Sequence, residues 1–358
     1  MISVCGFPAR GKAGRFAAMK KIFALFLCAA LPAFGKGGHF DFRSYEKNPP
    51  EWFRSAEGSN VLANVLSHQS ALGGWPKNTD TAKKPSVETP EEIHGTFDNG
   101  ATTGEIRLMA MAFNATGEAR FRESAQRGID LILKAQYPTG GWPQSYPPDK
   151  QYHRYITFND DAMTRLLDLL REISASNNFA FVEGARREAA KKSFDRGIEC
   201  ILKCQIRVNG KLTVWCAQHD EITLEPREGR KFELVSLSGG ESCGVLLLLM
   251  SIENPSPEII RAVHAGAAWY ENAKITGIKQ VVENGDKKIE KDENAPPVWA
   301  RFYEIETGRP IFSDRDSVKK YDMAEIGHER RNGYSWYGSW GEKVEKRFAE
   351  WSKSHPQG

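Results

Sequence analysis

The chain has 358 residues, of which 40% are hydrophobic and nine are tryptophan, so it is long enough to bury a sizeable core. Its 49 basic and 46 acidic residues leave a formal net charge of +3, which argues against a dedicated nucleic-acid-binding protein. No linker is recognisable after the N-terminal region. We therefore expect residues 36–358 to form a single domain.

The first 35 residues are predicted to be a leader that directs export. Residues 19–21 give a positively charged start at Met19, residues 22–32 are mostly apolar, and residues 33–35 offer a cleavage site. This apolar run is too short to span a bilayer. Lipid attachment at Cys28 is the alternative, although the residues before it fit that signal poorly. We expect a secreted or periplasmic protein without a membrane span.

One segment recurs along the chain and predicts a repeated helix. The sequence RGIDLILKAQY at 127–137 returns as RGIECILKCQI at 196–206, and a weaker copy lies at 64–69. Two copies continue into the loop GGWP, at 73–76 and at 140–143, and the third reaches Trp215. The apolar residues of these segments have helical spacing rather than the alternation of strands.

A second helix follows each copy. Apolar residues have helical spacing at 106–113, 163–170 and 245–252, and each segment is preceded by Asp, Asn or Ser, which suit helix N-termini. Each repeat is therefore predicted to be a helix, a Gly-Trp loop and a helix. Such repeats stack and can close into a toroid whose loops gather at one rim. The predicted fold is all-α, an α/α toroid with long loops and short β-hairpin segments.

The last third of the chain departs from this pattern. Residues 257–276 predict one more helix, and residues 278–294 alternate around Asn284 and Gly285, which indicates a β-hairpin. Residues 295–340 are rich in aromatic residues, Arg and Gly and predict an ordered loop or short strands. Cys200 and Cys204 are one helical turn apart and are interpreted as core residues, and a disulfide between Cys216 and Cys243 stays open.

Acidic and amide side chains are concentrated at two of the helix entries. Asp98 and Asn99 precede one helix, and Asn159, Asp160 and Asp161 precede another. If the repeats pack side by side, these oxygens converge, and an all-oxygen site suits Ca²⁺ better than zinc or copper. Ordinary helix capping is the alternative interpretation.

Arginines and aromatic residues are frequent in the loop-rich half of the chain. Paired hydrogen bonds from arginine suit carboxylates, and aromatic faces suit sugar rings. Taken singly, each arginine is better explained by surface solubility and ion pairs. His153 and His219 are interpreted as surface or core residues rather than as bases or metal ligands. The arginines considered are Arg227, Arg230, Arg301, Arg309, Arg315, Arg330 and Arg331.

These segments together resemble the family 10 polysaccharide lyases, the pectate lyases with an α/α toroid. The shared landmarks lie in order between about residues 60 and 337, so the resemblance is more specific than any single motif. They are GGWPKN at 73–78, FDNGAT at 97–102, GGWPQ at 140–144, ITFNDDAM at 156–163, WCAQHD at 215–220, SGGES at 238–242, WARFY at 299–303, RP at 309–310, FSDRD at 312–316 and RRNGY at 330–334.

The resemblance implies roles for seven residues. Arg315 corresponds to the catalytic arginine of the family, and Arg230, Arg301 and Arg330 to residues that bind substrate carboxylates, with Arg331 as the alternative to Arg330. The Asp-Asn and Asn-Asp entries correspond to calcium ligands. One departure is Gly229, where the family pattern leads us to expect alanine before Arg230. The expected calcium ligands are Asp98, Asn99 and Asp160.

The resemblance also implies the reaction, β-elimination on polygalacturonate with Ca²⁺ and an arginine base. Because arginine has a pKa above about 12, activity is expected to rise with pH above about 8. A monomer is expected. The alternatives are a toroidal glycoside hydrolase with Asp98 and Asp160 as acid and base, and a non-catalytic pectin-binding module. A triterpene cyclase fits poorly, because its acid-rich motif is present only as a fragment.

Overall fold

The predicted helix–loop–helix repeat is present in the computed structural model, which describes residues 38–357. The predicted leader lies outside the described residues. Within residues 38–357 the α-helices are α1 Pro50–Arg54, α2 Ala56–Ser67, α3 Thr103–Thr116, α4 Ala119–Ala135, α5 Ala162–Ala175, α6 Gly184–Cys204, α7 Glu241–Leu249, α8 Pro257–Asn272, α9 His328–Gly333 and α10 Trp340–Trp351.

The helices form two layers. Within each repeat α3 packs on α4, α5 on α6 and α7 on α8, while α3, α5 and α7 pack in succession, as do α4, α6 and α8. The helices α3, α5 and α7 are mostly buried and form the inner layer. Helix α10 packs on α7 and α8, and α1 and α2 pack on α3.

A glutamine at the end of each outer helix links one repeat to the next. The Gln69 amide donates to the carbonyl of Gly73 in its own loop and to that of Ser124 on α4, both at 2.9 Å. Each pair of bonds therefore ties the end of one outer helix both to its own loop and to the middle of the next outer helix. The equivalent bonds, at 2.8 to 3.0 Å, join Gln136 to Gly140 and Ser193, and Gln205 to Thr213 and Ala262.

The tryptophan of each loop fills the space between the two layers. Trp75, Trp142 and Trp215 are fully buried. Their indole N–H groups donate to carbonyls of the preceding helix, Val65 at 2.8 Å and Ile132 at 2.8 Å for the first two, so the polar end of each ring is satisfied in the core. This is the structural role expected for the Gly-Gly-Trp-Pro loops.

Short antiparallel strands connect the loops at the rim. The hairpin predicted around Asn284 and Gly285 is confirmed as β7 and β8, and the other ladders are two residues long. The pairs are β1–β4, β4–β5, β2–β3, β6–β10, β7–β8, β9–β13 and β11–β12. The strands are β1 Ile156–Thr157, β2 Arg207–Val208, β3 Lys211–Leu212, β4 Gln218–His219, β5 Pro226–Arg227, β6 Leu237–Ser238, β7 Ile278–Glu283, β8 Asp286–Lys291, β9 Trp299–Ala300, β10 Phe302–Tyr303, β11 Phe312–Ser313, β12 Lys319–Lys320 and β13 Tyr337–Gly338.

The four cysteines of the described residues are buried free thiols. Cys200 and Cys204 lie in the main core, as predicted, with their sulfurs 4.0 Å apart. The disulfide between Cys216 and Cys243 that the sequence left open is not formed. Among residues 38–357 we find no helix with the length and apolar character needed to cross a membrane.

Candidate active site

Two acidic turns lead into the inner helices α3 and α5. Asp98–Gly100 and Asn159–Asp161 are 3-10 turns that pack against each other. Asn99 and Asp160 occupy equivalent positions with φ of 53° and 51°, a left-handed conformation that Asn and Asp tolerate better than most residues. Neither α3 nor α5 has a side-chain cap hydrogen bond from its N-cap residue. Capping therefore does not account for these acids.

Asp98 is 4% exposed, and its two carboxylate oxygens differ in their surroundings. Oδ2 accepts a hydrogen bond from Lys77 Nζ at 2.6 Å. Oδ1 is buried and has no hydrogen-bond partner among the described residues. Because an unpaired buried carboxylate oxygen is costly, this atom marks a place where a cation or a donor from outside the chain is favoured.

The donor set at the two turns fits a hard cation such as calcium. It consists of carboxylate and amide oxygens from Asp98, Asn99 and Asp160, which is the ligand type that Ca²⁺ prefers. Within residues 38–357 no group of three or more His, Cys, Asp and Glu is placed to hold a metal ion. The predicted set contains only two carboxylates, so a bound cation would need further oxygen ligands from solvent or a ligand.

Four arginines surround a pair of aromatic rings beside these turns. The rings of Phe232 and Tyr334 meet edge to face with centroids 5.1 Å apart. The arginines come from three separate loops and from α9, so their proximity is produced by the fold. The guanidinium carbons lie near the ring centroids, Arg230 at 5.0 Å, Arg330 at 4.4 Å and Arg315 at 5.8 Å from Phe232, and Arg301 at 4.6 Å from Tyr334.

Arg301 connects the arginine cluster to the acidic turns. It stands between β9 and β10, which are paired with β13 and β6, so its backbone is fixed on both sides. Its guanidinium contacts Glu241, approaches Asp160 Oδ1 at 3.5 Å and donates to Asn159 Oδ1 at 3.4 Å. Burial alone would lower the pKa of Arg301, but the carboxylates of Glu241 and Asp160 outweigh it and raise the pKa, so this cation stays charged.

Arg230 is held by a buried carboxylate. Glu233 is 1% exposed, contacts the Arg230 guanidinium, accepts the Arg230 backbone N–H at 2.9 Å and accepts the Tyr334 hydroxyl at 2.7 Å. Burial raises the pKa of Glu233, but the bonds from Arg230 prevail and lower it. A Cβ at Gly229 would lie 2.6 Å from Glu233 Oε2 and from Gln218 Oε1, so glycine is the residue that fits at this departure from the family pattern.

Arg315 lies between β11 and β12, and its side chain is 64% exposed. Its guanidinium donates to Glu329 at 3.1 and 3.3 Å. Glu329 also binds Arg330, with Arg330 Nε at 2.7 Å. The hydrogen bond from Arg315 to Glu329 raises the pKa of Arg315, and the two arginines lower the pKa of Glu329 to about 2.

The other residues considered from the sequence lie elsewhere or have structural roles. Arg331 pairs with Asp286 on the hairpin, Arg227 with Asp220, and Arg309 stacks on Tyr321. His219 is fully buried and burial lowers its pKa to about 4, which identifies it as a core histidine. His153 bonds to Asp149 at 2.6 Å.

The structure thus links six of the seven residues named from the sequence, and the seventh, Asn99, lines a different cavity with His39 and Phe40. A continuous series of contacts runs from the Asp98 turn through Asp160, Arg301 and the aromatic pair to Arg315. Sequence reasoning missed the residues that hold the arginines. They are Phe232, Glu233, Glu241, Glu329 and Tyr334, and the only signal in the sequence was that each lies in or beside a segment rich in arginine or glycine.

Residues 69–345 match the family model described as pectic acid lyase. The chain belongs to this family. Among solved structures, this lyase is similar to the family 10 polysaccharide lyase from Cellvibrio cellulosa, with a TM-score of 0.75, 33% identity, 88% of this chain covered and 98% of the other. An Asp-to-Ala variant of that protein in complex with trigalacturonic acid matches with a TM-score of 0.75 and 33% identity, covering 87% and 99% of the two chains.

These comparisons confirm the predicted family, the α/α-toroid fold and the prediction of a pectate lyase. The alternatives of a glycoside hydrolase, a binding module and a cyclase are therefore set aside. A comparison with curated proteins finds no match.

Proposed function

We propose that this lyase cleaves polygalacturonate by calcium-assisted β-elimination with Arg315 as the base. The observation that carries the proposal is that four arginines surround one aromatic pair and that Arg301 joins this cluster to the two packed acidic turns. The similar Cellvibrio cellulosa lyase is described in complex with trigalacturonic acid, which supports an oligogalacturonate as the ligand of this site.

Arg230, Arg301 and Arg330 are suited to hold uronate carboxylates. Their side chains are held by Glu233, Glu241 and Glu329 respectively. A guanidinium that is already oriented loses little entropy when it forms paired hydrogen bonds to a carboxylate. Substrate is therefore expected to be oriented by arginines that move little when it binds.

Asp98, Asn99 and Asp160 would hold the calcium ion. When bound, calcium supplies positive charge that acidifies the proton α to a uronate carboxylate. Asp98 contributes the carboxylate oxygen that has no hydrogen-bond partner among the described residues. Lys77 and Arg301 lie beside these carboxylates, so the protein itself adds positive charge at the same place.

Arg315 is the member of the cluster best placed to act as the base. Its side chain is the most exposed of the four, at 64% compared with 10 to 40% for the others, so it can approach a sugar whose carboxylate is held by the other arginines. In its neutral form it accepts the C5 proton, and the electrons left at C5 form the C4–C5 double bond as the bond from C4 to the glycosidic oxygen breaks. The oxygen leaves with the electron pair of that bond and takes a proton from solvent.

The resting environment of Arg315 favours its charged form, because Glu329 raises its pKa. Only a small fraction is therefore neutral near neutral pH, and this fraction increases with pH. The charge of Arg230 lowers the pKa of Arg315, but by less than Glu329 raises it. We expect kcat/KM to rise through the alkaline range, and an optimum in the acidic range would contradict an arginine base.

The test compares the wild type with Arg315→Lys on polygalacturonate. Lysine keeps the charge but loses the planar fork, so kcat is expected to fall by about 10²-fold or more, with unchanged circular dichroism. The exposed Arg261→Lys on α8 serves as the matched control. Product is followed by the ultraviolet absorbance of the unsaturated uronate, and chelation of calcium should abolish it. Near-normal turnover by Arg315→Lys would reject Arg315 as the base.

Localisation and assembly belong to the same proposal. The leader predicted at residues 1–35 supports export, which would bring the enzyme to an extracellular polysaccharide. All seven proposed site residues come from one chain, so we propose that a monomer is active. Fractionation of the expressing cells and size-exclusion chromatography of the active enzyme test these two points.

A further inference from the structure

A groove of about 450 Å³ adjoins the Asp98 turn. Lys77 lines the groove and donates to Asp98 Oδ2 at 2.6 Å. Thr96 also lines it, and its hydroxyl accepts the Asp98 backbone N–H at 3.2 Å. None of the four clustered arginines lines this groove. It is therefore contiguous with the proposed site and chemically distinct from the arginine cluster.

Two buried polar side chains line the groove without partners in the protein. Gln144 is 6% exposed and Ser145 is 7% exposed. The backbone of Gln144 is fixed, because its N–H donates to the His153 carbonyl at 2.8 Å and its carbonyl accepts from Phe97 N at 2.9 Å. The Gln144 amide and the Ser145 hydroxyl make no hydrogen bond to any described residue. Neither group is among the fully enclosed atoms that lack a partner, so both face the groove, where water or a ligand can supply their hydrogen bonds.

Acidic side chains dominate the walls of the groove. Glu88, Glu92 and Asp149 line it, against Lys77, which already pairs with Asp98, and two histidines. The backbone N–H of Thr89 lowers the pKa of Glu92. Burial raises the pKa of Asp149, but its hydrogen bond from His153 outweighs this and lowers the pKa. The walls therefore carry negative charge at neutral and alkaline pH.

Such walls disfavour a free galacturonate, because its carboxylate would face like charges. Esterification removes that charge and leaves a carbonyl that can accept hydrogen bonds from the Gln144 amide and the Ser145 hydroxyl. The volume of the groove is within the range of small-ligand sites, about 300 to 1,000 Å³. The chemistry of the groove thus fits an uncharged sugar unit and not a second uronate.

We propose that this groove binds a methyl-esterified galacturonyl unit of the chain whose uronate lies at the arginines, an inference that rests on the proposed function. The enzyme then recognises two kinds of unit in one pectin chain. The reacting unit is a free acid, and the unit beside Asp98 is a methyl ester. The arginine cluster alone favours a chain of free acids. With the groove occupied by an ester, kcat/KM on partially esterified pectin is expected to be higher than the cluster alone would allow.

The experiment measures kcat/KM on polygalacturonate and on partially methyl-esterified pectin, by release of the unsaturated product. Gln144→Leu should lower kcat/KM on esterified pectin roughly 3- to 10-fold, the effect of one or two lost hydrogen bonds, with little change on polygalacturonate. Glu88→Gln/Asp149→Asn should raise kcat/KM on polygalacturonate roughly 2- to 5-fold by removing repulsion. Glu188→Gln, an exposed acid on α6, is the matched control.

The outcomes separate this inference from the proposed function. If the wild type forms no unsaturated product on either substrate, the proposed lyase reaction fails. If it forms product but the ratio of the two kcat/KM values is the same in wild type, Gln144→Leu and the double variant, the ester-binding groove is rejected. Thermal unfolding of each variant shows whether it is folded, and the double variant tests the groove independently if Gln144→Leu is not.

Discussion

The four clustered arginines differ in how firmly each is held. Arg301 and Arg230 bind carboxylates that are 2% and 1% exposed, those of Glu241 and Glu233. Arg315 binds Glu329, whose side chain is 61% exposed. A buried ion pair fixes its members, because separating them leaves an uncompensated charge, whereas an exposed pair is weak and exchanges readily with solvent. Arg315 is therefore the arginine that can leave its partner during a reaction.

Glu329→Gln is predicted to shift the pH profile of the enzyme to lower pH. Glu329 raises the pKa of Arg315 by hydrogen bonding to its charged form. Replacing the carboxylate by an amide removes that stabilisation, so the pKa of Arg315 falls and a larger fraction is neutral at a given pH. The alkaline rise of kcat/KM should begin at lower pH in Glu329→Gln than in the wild type.

The matched control for this measurement is Glu306→Gln, an exposed acid in the loop after β10. Glu306→Gln should leave the pH dependence of kcat/KM unchanged. A profile of Glu329→Gln that moves to higher pH, or that is unchanged while the fold is intact, would show that Glu329 does not set the protonation of the base. Arg330 also loses a partner in this variant, so KM is recorded together with kcat.

The sequence named the arginines but not the acids that hold them. Arginine beside aromatic residues is a visible pattern, and family resemblance selected four from seven. In the sequence Glu233 and Glu241 look like ordinary acids, and only the folded chain buries them against Arg230 and Arg301. Glu241 begins α7 and is 60 residues from Arg301 in the sequence, so no local spacing encodes their contact.

At the scale of elements, the repeat depends on two glycines in the outer helices. Gly128 on α4 and Gly197 on α6 occupy the same place in the repeated segment. A Cβ at Gly128 would come within 2.6 Å of Ile106 and 3.3 Å of Trp75, and one at Gly197 within 2.4 Å of Leu167. Glycine there lets each outer helix lie close to the inner helix and to the tryptophan of the loop.

Gly197→Ala is predicted to destabilise the protein by about 1–3 kcal/mol, the usual cost of overpacking, in spite of the higher helix propensity of alanine. The reason is that the new methyl group would overlap Leu167, which is fully buried on α5. Unfolding in urea measures the change. Activity at low temperature should be retained, because the site lies at the rim.

Gly184→Ala is the matched control for that prediction. It lies at the start of the same helix α6, where a Cβ would meet no atom within 4 Å. The substitution should be neutral or stabilise by about 0.4–1 kcal/mol. Equal effects of the two substitutions would mean that the close approach of α5 and α6 is not a constraint on the repeat.

Elements with a clear period were predictable and short strands were not. Helical spacing located α3 to α8, and Asn284 with Gly285 located the hairpin of β7 and β8. The ladders that position Arg301, such as β6 with β10, are two residues long. Two residues show no alternation, so their pairing is set by tertiary contacts alone.

At the scale of the whole molecule, the helical layers are stabilised mainly by apolar packing, and the loops that carry the arginines depend more on ion pairs and hydrogen bonds. The helical layers bury one extensive apolar core. The loops under the arginines have a separate, smaller apolar cluster that includes Phe232, Phe302 and Trp336. Four carboxylates stabilise these loops. Each carboxylate is bound by cations or backbone N–H groups, which lower its pKa. The four are Asp220, Asp286, Glu304 and Glu329.

The free energy of unfolding is predicted to fall as the pH drops from about 4 to about 2. In the folded chain, hydrogen bonds from Lys319, Thr307 and Tyr321 lower the pKa of Glu304 to about 2, and the Thr223 N–H and other donors lower that of Asp220 to about 2. Unfolded, both regain pKa values near 4. Between these values the unfolded chain binds more protons, so acid favours unfolding.

Glu304→Gln tests this linkage, with Glu188→Gln as the exposed control. Glutamine keeps one oxygen that can accept from Lys319 and Tyr321 but does not titrate, so urea unfolding of Glu304→Gln should depend less steeply on pH in this window than that of the wild type. The control should follow the wild type. If the free energy of unfolding depends equally on pH in the wild type, Glu304→Gln and Glu188→Gln, the acid sensitivity does not arise from Glu304.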